Sequence, residues 1–381
     1  MSLSRFVSSA RTLRHIDWLL FGTALVICLI GITFIWSASF RVIQQTGDWR
    51  ATSQPIRQTI FLGVSIVAFI VLLMVPYTRL MRLSYPLYLM GILMLAGLFL
   101  HPTIKDVHRW YNLRLMLFQP SEFMKVILIM TLARYLMYRE NYRTLRGLIG
   151  PFVLTLAPLI LVVRQPDLGT ALVFLPILFS LLYVAGARKQ HLIAAIIVGL
   201  ALLPLVYLFV LQPYQQERLI SFLDPSAHAR AGGFQLMNSL YAVGSGSLFG
   251  KGWGAGTQNL FGFIPADITD FIFAVFAEEW GLVGAVVLLL LYYILFLCGL
   301  GIAQSTREPY GRLLAVGVVT MLAVQVLINI GMTVQLMPVT GLPLPFMSYG
   351  GSSLLSSFIA LGLLVNVGKN RVPVLADEDF K

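Results

Sequence analysis

Residues 250–281 read GKGWGAGTQNLFGFIPADITDFIFAVFAEEWG and lead into an apolar run that continues to residue 303. The stretch joins a glycine-rich segment to the start of a long hydrophobic helix and places Asp270 at the mouth of that helix. A carboxylate in this position is costly unless it is solvated, paired or used in chemistry. Asp270 is therefore the first candidate functional residue, and the alternative is that it caps the helix that follows.

The composition around this stretch excludes a soluble globular protein. Of the 381 residues, 58% are hydrophobic and 11% are charged, whereas about 25% are charged in a typical soluble domain. The net charge of +11 is explained by arginines that flank membrane spans, so no nucleic-acid partner is predicted. Cys28 and Cys298 lie in apolar runs, where a thiol behaves as a small hydrophobic group.

Apolar windows of about 20 residues, long enough to cross a hydrocarbon core of about 30 Å, recur about ten times. The predicted fold is all-α: a polytopic integral membrane protein with about ten transmembrane helices in one domain over residues 1–381. The predicted spans are 18–39, 59–75, 83–101, 121–138, 147–163, 169–187, 191–211, 271–303, 313–335 and 349–367.

The placement of lysine and arginine predicts the orientation. Basic residues concentrate on one side of the ten spans, so the tails 1–17 and 368–381 are predicted to be cytoplasmic. The segment 212–270, between spans 7 and 8, is then a large extracytoplasmic loop, and a loop of this length is usually functional or disordered. Further arginines lie on this outer side, which favours an anionic ligand there.

The segment QPSEFMK at 119–125 begins a predicted helix, with Pro120 in its first turn and Glu122 facing the positive helix end. Glu122 and Lys125 share one helix face at a spacing of three residues. One interpretation is a local ion pair. The other is that Lys125 lines a hydrophilic cavity and offers positive charge to a buried anion, with help from Arg109.

Two further segments carry polar residues at helix ends. In QPDLGT at 165–170, Asp167 either caps the next helix or orients Lys125 and Asp270. The segment PLPFMSYGGSS at 343–353 predicts a broken helix entrance that lines a cavity, because such residues at membrane depth must face protein or water.

Five sequence blocks occur in a fixed order along the chain: QPSEFMK at 119–125, QPDLGTAL at 165–172, GSGSLFGKGWGAGTQ at 244–258, TDFIFA at 269–274 and PLPFMSYGGSSLL at 343–355. Together they resemble the SEDS family of polytopic peptidoglycan glycosyltransferases, which includes RodA, FtsW and sporulation members. The GKGW and TGLPLPFMSYGG blocks are more similar to the RodA branch, which serves cell elongation and cell shape.

The resemblance implies an enzyme that polymerises lipid II into glycan strands. Asp270 corresponds to the proposed catalytic acid of the TDF motif and would be the general base, while Glu122 and Lys125 match the acid–lysine pair, with Lys125 stabilising the pyrophosphate leaving group. The substrate-binding candidates in the matching blocks and the outer loop are Arg109, Asp167, Lys251, Trp253, Gln258, Ser348 and Tyr349.

The resemblance also implies a class B penicillin-binding protein as partner, besides lipid II, the growing glycan strand and membrane lipid. It implies the bacterial cytoplasmic (inner) membrane, with the active face extracytoplasmic. The sequence contains no dedicated metal-binding motif, although a divalent cation, Mg²⁺ or Mn²⁺, would suit a pyrophosphate leaving group. The chain departs from the family pattern at four positions, namely Arg114, Asn238, Ala266 and Ile268.

Two other function classes fit the same features. A flippase or another transporter of lipid-linked precursors also has many spans, intramembrane charges and broken helices. A non-enzymatic scaffold of a wall-building complex would need the spans but not the acid. An assay with labelled lipid II and an Asp270→Asn variant separates these alternatives from the enzyme.

Overall fold

The computed structural model describes residues 10–46, 53–101, 109–113, 117–138, 144–209, 211–224, 232–260 and 268–370. The candidates Arg114 and Ala266 lie outside these ranges, as does most of each predicted tail. Nearly all of the described chain is helical, as the hydropathy pattern predicts.

Fourteen α-helices are present in the described ranges. They are α1 Ala10–Thr46, α2 Ser53–Met74, α3 Tyr77–Arg82, α4 Ser84–Gly97, α5 Pro120–Met137, α6 Leu145–Arg164, α7 Leu168–Ala185, α8 Lys189–Phe209, α9 Pro213–Leu223, α10 Gly232–Ser245, α11 Thr257–Leu260, α12 Ile272–Ser305, α13 Pro309–Thr333 and α14 Gly351–Asn370. A short 3-10 turn, Leu98–Leu100, extends α4.

Each predicted span coincides with one of these helices. Eight helices in the described residues are long and apolar enough to cross a membrane, namely all or part of α1, α2, α6, α7, α8, α12, α13 and α14. The apolar helix α4 is shorter, and α5 carries three charged residues, Glu122, Lys125 and Arg134. The all-α prediction is confirmed, whereas the count of ten spans stays a prediction.

One small element departs from the all-α pattern. Two antiparallel strands, β1 Tyr111–Asn112 and β2 Leu117–Phe118, pair Tyr111 with Phe118 and Asn112 with Leu117. The hydroxyl of Tyr111 donates a hydrogen bond to the Met94 carbonyl at 2.8 Å. The hairpin is therefore held over the end of α4.

The centre of the helical bundle is formed by α5, α13 and α14, whose side chains are mostly buried. α13 packs against α5, α7 and α12, while α14 packs against α2 and α12 packs against α1. In contrast, α8 has one buried residue, Leu192. Its other apolar side chains face outward, as expected of a helix in contact with lipid.

The helix α12 is broken near its start. Gly281 has φ of +64° within the helix, a conformation that glycine adopts without steric cost. The long predicted span 271–303 therefore contains a break at Gly281. The segment before it is also structured, because α10 packs against both α12 and α13.

Candidate functional site

Asp270 lies in a turn directly before α12, with a half-buried side chain. The N-cap of α12 is Phe271, and no side chain caps this helix end. The interpretation of Asp270 as a helix cap is therefore wrong. The structure leaves its carboxylate for another role.

Two neighbouring segments hold the backbone of this turn. Asn329 on α13 donates hydrogen bonds from Nδ2 to the carbonyl oxygens of Asp270 at 2.8 Å and Leu342 at 2.7 Å. The backbone N–H of Tyr349 donates to the carbonyl oxygen of Ile268 at 2.9 Å. The position of Asp270 is thus determined by α13 and by the irregular segment before α14.

Burial raises the pKa of the Asp270 carboxyl above its usual range. A hydrogen bond from Thr269 opposes this increase, as do the positive charges of Arg218 and Arg109, whereas the negative charge of Asp167 adds to it. A carboxyl with a raised pKa is better matched to proton transfer near neutral pH than an ordinary one. Arg109 and Asp167, two sequence candidates, are therefore close enough to act on Asp270 electrostatically.

Gly341 separates Asp270 from Arg218. A Cβ atom built on Gly341 would lie 3.5 Å from Oδ2 of Asp270 and 3.8 Å from Nη1 of Arg218. The same guanidinium nitrogen donates to the carbonyl oxygen of Val339 at 3.3 Å. The carboxylate and the guanidinium thus share the space that the missing side chain leaves.

Glu122 and Lys125 form the predicted ion pair, with 2.9 Å between Nζ and Oε1 and side-chain exposures of 2% and 1%. Ser356 on α14 donates to the other Glu122 oxygen at 3.3 Å. The structure forms the predicted ion pair, and the catalytic role of Lys125 and Glu122 stays a prediction.

Asp167 caps α7, as one interpretation of the sequence predicts. Its Oδ1 accepts from the backbone N–H of Thr170 at 3.3 Å. Its Oδ2 accepts from the hydroxyls of Thr170 at 2.9 Å and Ser121 at 3.1 Å, and from the amide of Gln119 at 3.0 Å. With so many protein donors, this carboxylate mainly joins α7 to the start of α5.

Lys251 and Gln258, two substrate-binding candidates, contact Glu278 in the first turns of α12. Glu278 is fully buried and accepts from Lys251 Nζ at 2.7 Å, from the Thr257 backbone N–H at 2.7 Å and from the Gln258 backbone N–H at 3.2 Å. The glycine-rich segment therefore packs against the first turns of α12. Substrate binding by Lys251 and Gln258 stays a prediction beside this structural role.

Glu279 and Trp253 also lie where the glycine-rich segment contacts its neighbouring helices. Glu279 is fully buried and accepts from Ser37 at 2.9 Å and from the Gly254 N–H at 3.0 Å. The indole of Trp253, which is 51% exposed, donates to the Thr33 carbonyl at 3.3 Å. Both glutamates are therefore buried and held by hydrogen bonds within the fold.

Ser348 and Tyr349 lie in the irregular segment before α14. The buried hydroxyl of Ser348 accepts from the Leu344 N–H at 2.8 Å, and Gln58 on α2 donates to the Ser348 carbonyl at 3.0 Å. Ser348 therefore shapes the turn, whereas Tyr349 reaches the Asp270 turn through its backbone. The predicted broken helix entrance is present here, although direct substrate contact by either residue stays a prediction.

Arg218 and Asn329 lie at the Asp270 site, and neither belongs to the motifs from which the site was predicted. Arg218 is one of several arginines in the outer segments, and nothing in its local pattern distinguishes it. Asn329 could have been found from the sequence, because a polar amide inside the apolar run 313–335 is expected to make hydrogen bonds to neighbouring segments.

An apolar groove of about 660 Å³ is bordered by α4, the hairpin and the segment before it. Its lining includes Met94, His101, Trp110, Leu113 and Phe118. The Trp110 indole donates to Gln119 at 3.2 Å, and Gln119 in turn donates to Asp167. The groove is thus connected by hydrogen bonds to Asp167, whose charge acts on Asp270.

Within the described ranges, no group of three or more His, Cys, Asp or Glu side chains is placed to hold a metal ion. Asp267, a further carboxylate close to Asp270 in sequence, lies outside those ranges. The predicted divalent cation therefore stays a prediction.

These features define a multi-pass helical membrane protein with a half-buried acid beside two arginines. Residues 17–372 match the family model for FtsW, RodA and SpoVE, described as cell cycle protein, and the chain belongs to this family. It is 36% identical to stage V sporulation protein E of Bacillus subtilis over 93% of this chain and 97% of that protein. It is 34% identical to peptidoglycan glycosyltransferase MrdB of Escherichia coli K12 over 94% of both chains.

Solved structures give the same result for the fold. A chain of a peptidoglycan synthase complex, described as coordinating polymerization and crosslinking, matches with a TM-score of 0.78 and 33% identity, covering 93% of this chain and 98% of that one. Rod shape determining protein RodA of Thermus thermophilus matches with a TM-score of 0.67 and 32% identity, covering 93% and 97%. The chain is a polytopic membrane protein of this fold.

Proposed function

We propose that this chain is a peptidoglycan glycosyltransferase that polymerises lipid II, with Asp270 as its general base. The observation that carries the proposal is the environment of Asp270, a half-buried carboxylate that caps no helix, has a raised pKa and faces Arg218 across Gly341. Relatives over nearly the whole chain bear the name peptidoglycan glycosyltransferase.

In the proposed reaction, Asp270 accepts the proton of the acceptor sugar hydroxyl. The hydroxyl oxygen forms a bond to the anomeric carbon of the growing chain, and the bond from that carbon to the lipid pyrophosphate breaks with inversion. The pyrophosphate leaves with the electron pair. A positioned base contributes typically about 10²–10⁴ to the rate of such a step.

The leaving group gains negative charge and needs a nearby cation. Arg109 suits this role, because its charge acts on Asp270 and its Nε is held by the Gln165 carbonyl at 3.2 Å. Lys125, at 1% exposure, would have to leave Glu122 to reach a substrate. We therefore place the pyrophosphate near Arg109 and keep the role of Lys125 as a prediction.

The apolar groove accommodates the isoprenoid chain of the lipid-linked sugar. Its lining is mainly apolar and includes Trp110, the residue next to Arg109. A lipid chain in the groove would bring its pyrophosphate to Arg109 and its sugar toward Asp270. Apolar grooves with a few convergent polar groups at one end are typical small-molecule sites.

The cellular setting follows from the same proposal. The chain would lie in the bacterial cytoplasmic membrane with both termini inside and Asp270 on the outer face, where it would work with a class B penicillin-binding protein. The outer arginines support this orientation, because lipid II is anionic. A divalent cation would assist at the pyrophosphate, and elongation of the cell wall is the process favoured by the RodA-like motifs.

The decisive experiment incubates purified protein, with its penicillin-binding partner present, with labelled lipid II and separates the glycan chains on a gel. The wild type is expected to form polymer, and Asp270→Asn to lose about 10²–10⁴ in rate. The matched control is Glu217→Gln, a change of an exposed carboxylate on α9, which should polymerise normally. No polymer from the wild type would reject the proposal.

The same variants separate the other two function classes. A transporter moves labelled lipid II across a vesicle membrane, and transport without polymer would favour that class. A scaffold does not need the acid, so growth of a depletion strain restored by Asp270→Asn would favour a scaffold. The enzyme proposal expects Asp270→Asn to fail in both the gel assay and the growth assay.

A further inference from the structure

Arg218 lies on α9, a helix that is docked and not a loose part of the outer segment. Gln215 accepts from the N–H of Gln212 at 2.9 Å and thereby closes the start of α9. Near its end, Phe222 packs against an apolar cluster that includes Phe271 and Met332. The position of Arg218 is therefore determined by the start of α12 and the end of α13, the same helices that hold Asp270.

A hydrogen bond to the backbone holds the guanidinium group of Arg218 near Gly341. Its Nη1 donates to the carbonyl oxygen of Val339 at 3.3 Å, two residues before Gly341. Gly341 has φ of +73° and no side chain, so the chain turns there and leaves a gap. A Cβ in that gap would touch both Arg218 Nη1 and Asp270 Oδ2 at van der Waals distance.

We propose that Arg218 is a positioning residue for Asp270: held by Val339, it orients the carboxylate across the gap at Gly341 and keeps it ionised for its role as base. The proposal rests on the proposed function of Asp270. Arg109 also acts on Asp270 through its charge, but its Nε bonds the Gln165 carbonyl, whereas Arg218 lies across the Gly341 gap from the carboxylate. Lys125 is held by Glu122.

Among the described residues, the charges that act on Asp270 come from three segments: Arg218 on α9, Arg109 before β1 and Asp167 at the start of α7. Thr269 in the same turn adds a hydrogen bond. Burial and Asp167 favour the protonated acid, whereas both arginines and Thr269 favour the carboxylate. Removal of Arg218 leaves Arg109 and Thr269 to oppose burial, so the Asp270 pKa should rise further.

The test measures the protonation of Asp270 without substrate. Infrared spectra of the purified protein are recorded over a pH series, and the spectra of the matching Asp270→Asn protein are subtracted to isolate the Asp270 carboxyl band. In Arg218→Gln the titration midpoint is expected at higher pH than in the wild type. In Arg57→Gln, which changes an exposed arginine on α2, the midpoint should not move.

Arg218→Lys keeps a positive charge but loses the planar fork that bonds Val339, so a smaller upward shift is expected. Arg218→Lys also replaces Arg218→Gln in the infrared measurement if thermal unfolding shows that Arg218→Gln does not fold. A midpoint that is unchanged from the wild type, in Arg218→Gln or, failing that, in Arg218→Lys, would overturn the proposal.

Polymerisation gives a second, independent measurement. The acid limb of the pH–rate profile should move to higher pH in Arg218→Gln, with a rate about tenfold lower on the acid side. Failure of the wild type to polymerise lipid II would reject the proposed function, while the infrared midpoint would still test the pairing. Normal polymerisation by the wild type with an unmoved midpoint in the variant would reject the pairing alone.

Discussion

Asp270 and Glu278 lie eight residues apart at the start of α12, in opposite environments. Glu278 is fully buried, and its carboxylate accepts from Lys251, Thr257 and Gln258. Asp270 is half-buried, with a hydrogen bond from Thr269 and Arg218 across a gap. A carboxylate that many protein donors hold stabilises the fold, whereas one beside a gap is available to accept a proton.

The comparison predicts that substitution of Glu278 lowers stability, whereas substitution of Asp270 lowers activity. Glu278→Ala leaves the Lys251 ammonium and the backbone N–H groups of Thr257 and Gln258 without their acceptor, so we expect the free energy of unfolding to fall by about 3 kcal/mol. Unfolding in mixed micelles measures this loss. Asp270→Asn should unfold like the wild type while losing polymerisation, and equal stability of the two variants would break the distinction.

Disrupting the backbone contact between the glycine-rich segment and α12 should lower the free energy of unfolding nearly as much as Glu278→Ala does. Gly250 has φ of +78°, and a Cβ there would overlap the Glu279 carbonyl oxygen and lie 2.6 Å from the Trp280 Cα. Gly250→Ala should therefore cost about 2 kcal/mol of unfolding free energy. The control is Gly22→Ala in α1, where a Cβ meets nothing within 4 Å, and this change should be neutral or stabilising.

Loosening the turn that carries Asp270 should lower catalytic activity more than it lowers stability. Asn329→Leu removes both hydrogen bonds to the Asp270 and Leu342 carbonyls, so the base is less well placed. We expect kcat for lipid II polymerisation to fall about tenfold with KM little changed. The control Thr333→Val removes a hydroxyl that bonds within α13. A similar loss of kcat in both variants would indicate a general defect of α13.

Trp253 should give the smallest effect on stability. Its indole is half exposed and makes one long hydrogen bond to Thr33, so Trp253→Phe should change the unfolding free energy by less than about 0.5 kcal/mol. The KM for lipid II decides its assignment to substrate binding. An unchanged KM would contradict that assignment and leave the glycine-rich segment with a structural role.

Local sequence information predicted much of the fold because a segment surrounded by lipid has few alternatives to a helix. A segment in lipid must satisfy its own backbone hydrogen bonds, so an apolar run of sufficient length is a helix. The predicted run 349–367 and the observed α14 agree within a few residues. For the same reason, proline and serine at its start correctly indicated a broken entrance.

The sequence also selected Asp270, because a carboxylate at the start of an apolar helix is unusual, and the motif order placed it in a family. It left open whether Asp270 caps α12, since capping depends on backbone geometry at one residue. The structure assigns the cap position to Phe271 and leaves Asp270 beside Gly341.

The sequence alone determined the helices, the membrane class and the candidate acid, because these depend on hydropathy and on residues close together in the chain. The tertiary structure decided the partners of each charge. Lys251 pairs with Glu278 and Arg218 faces Asp270, and each of these pairs joins residues far apart in sequence. Such pairs form only where helix packing brings the groups together, and no local pattern encodes that.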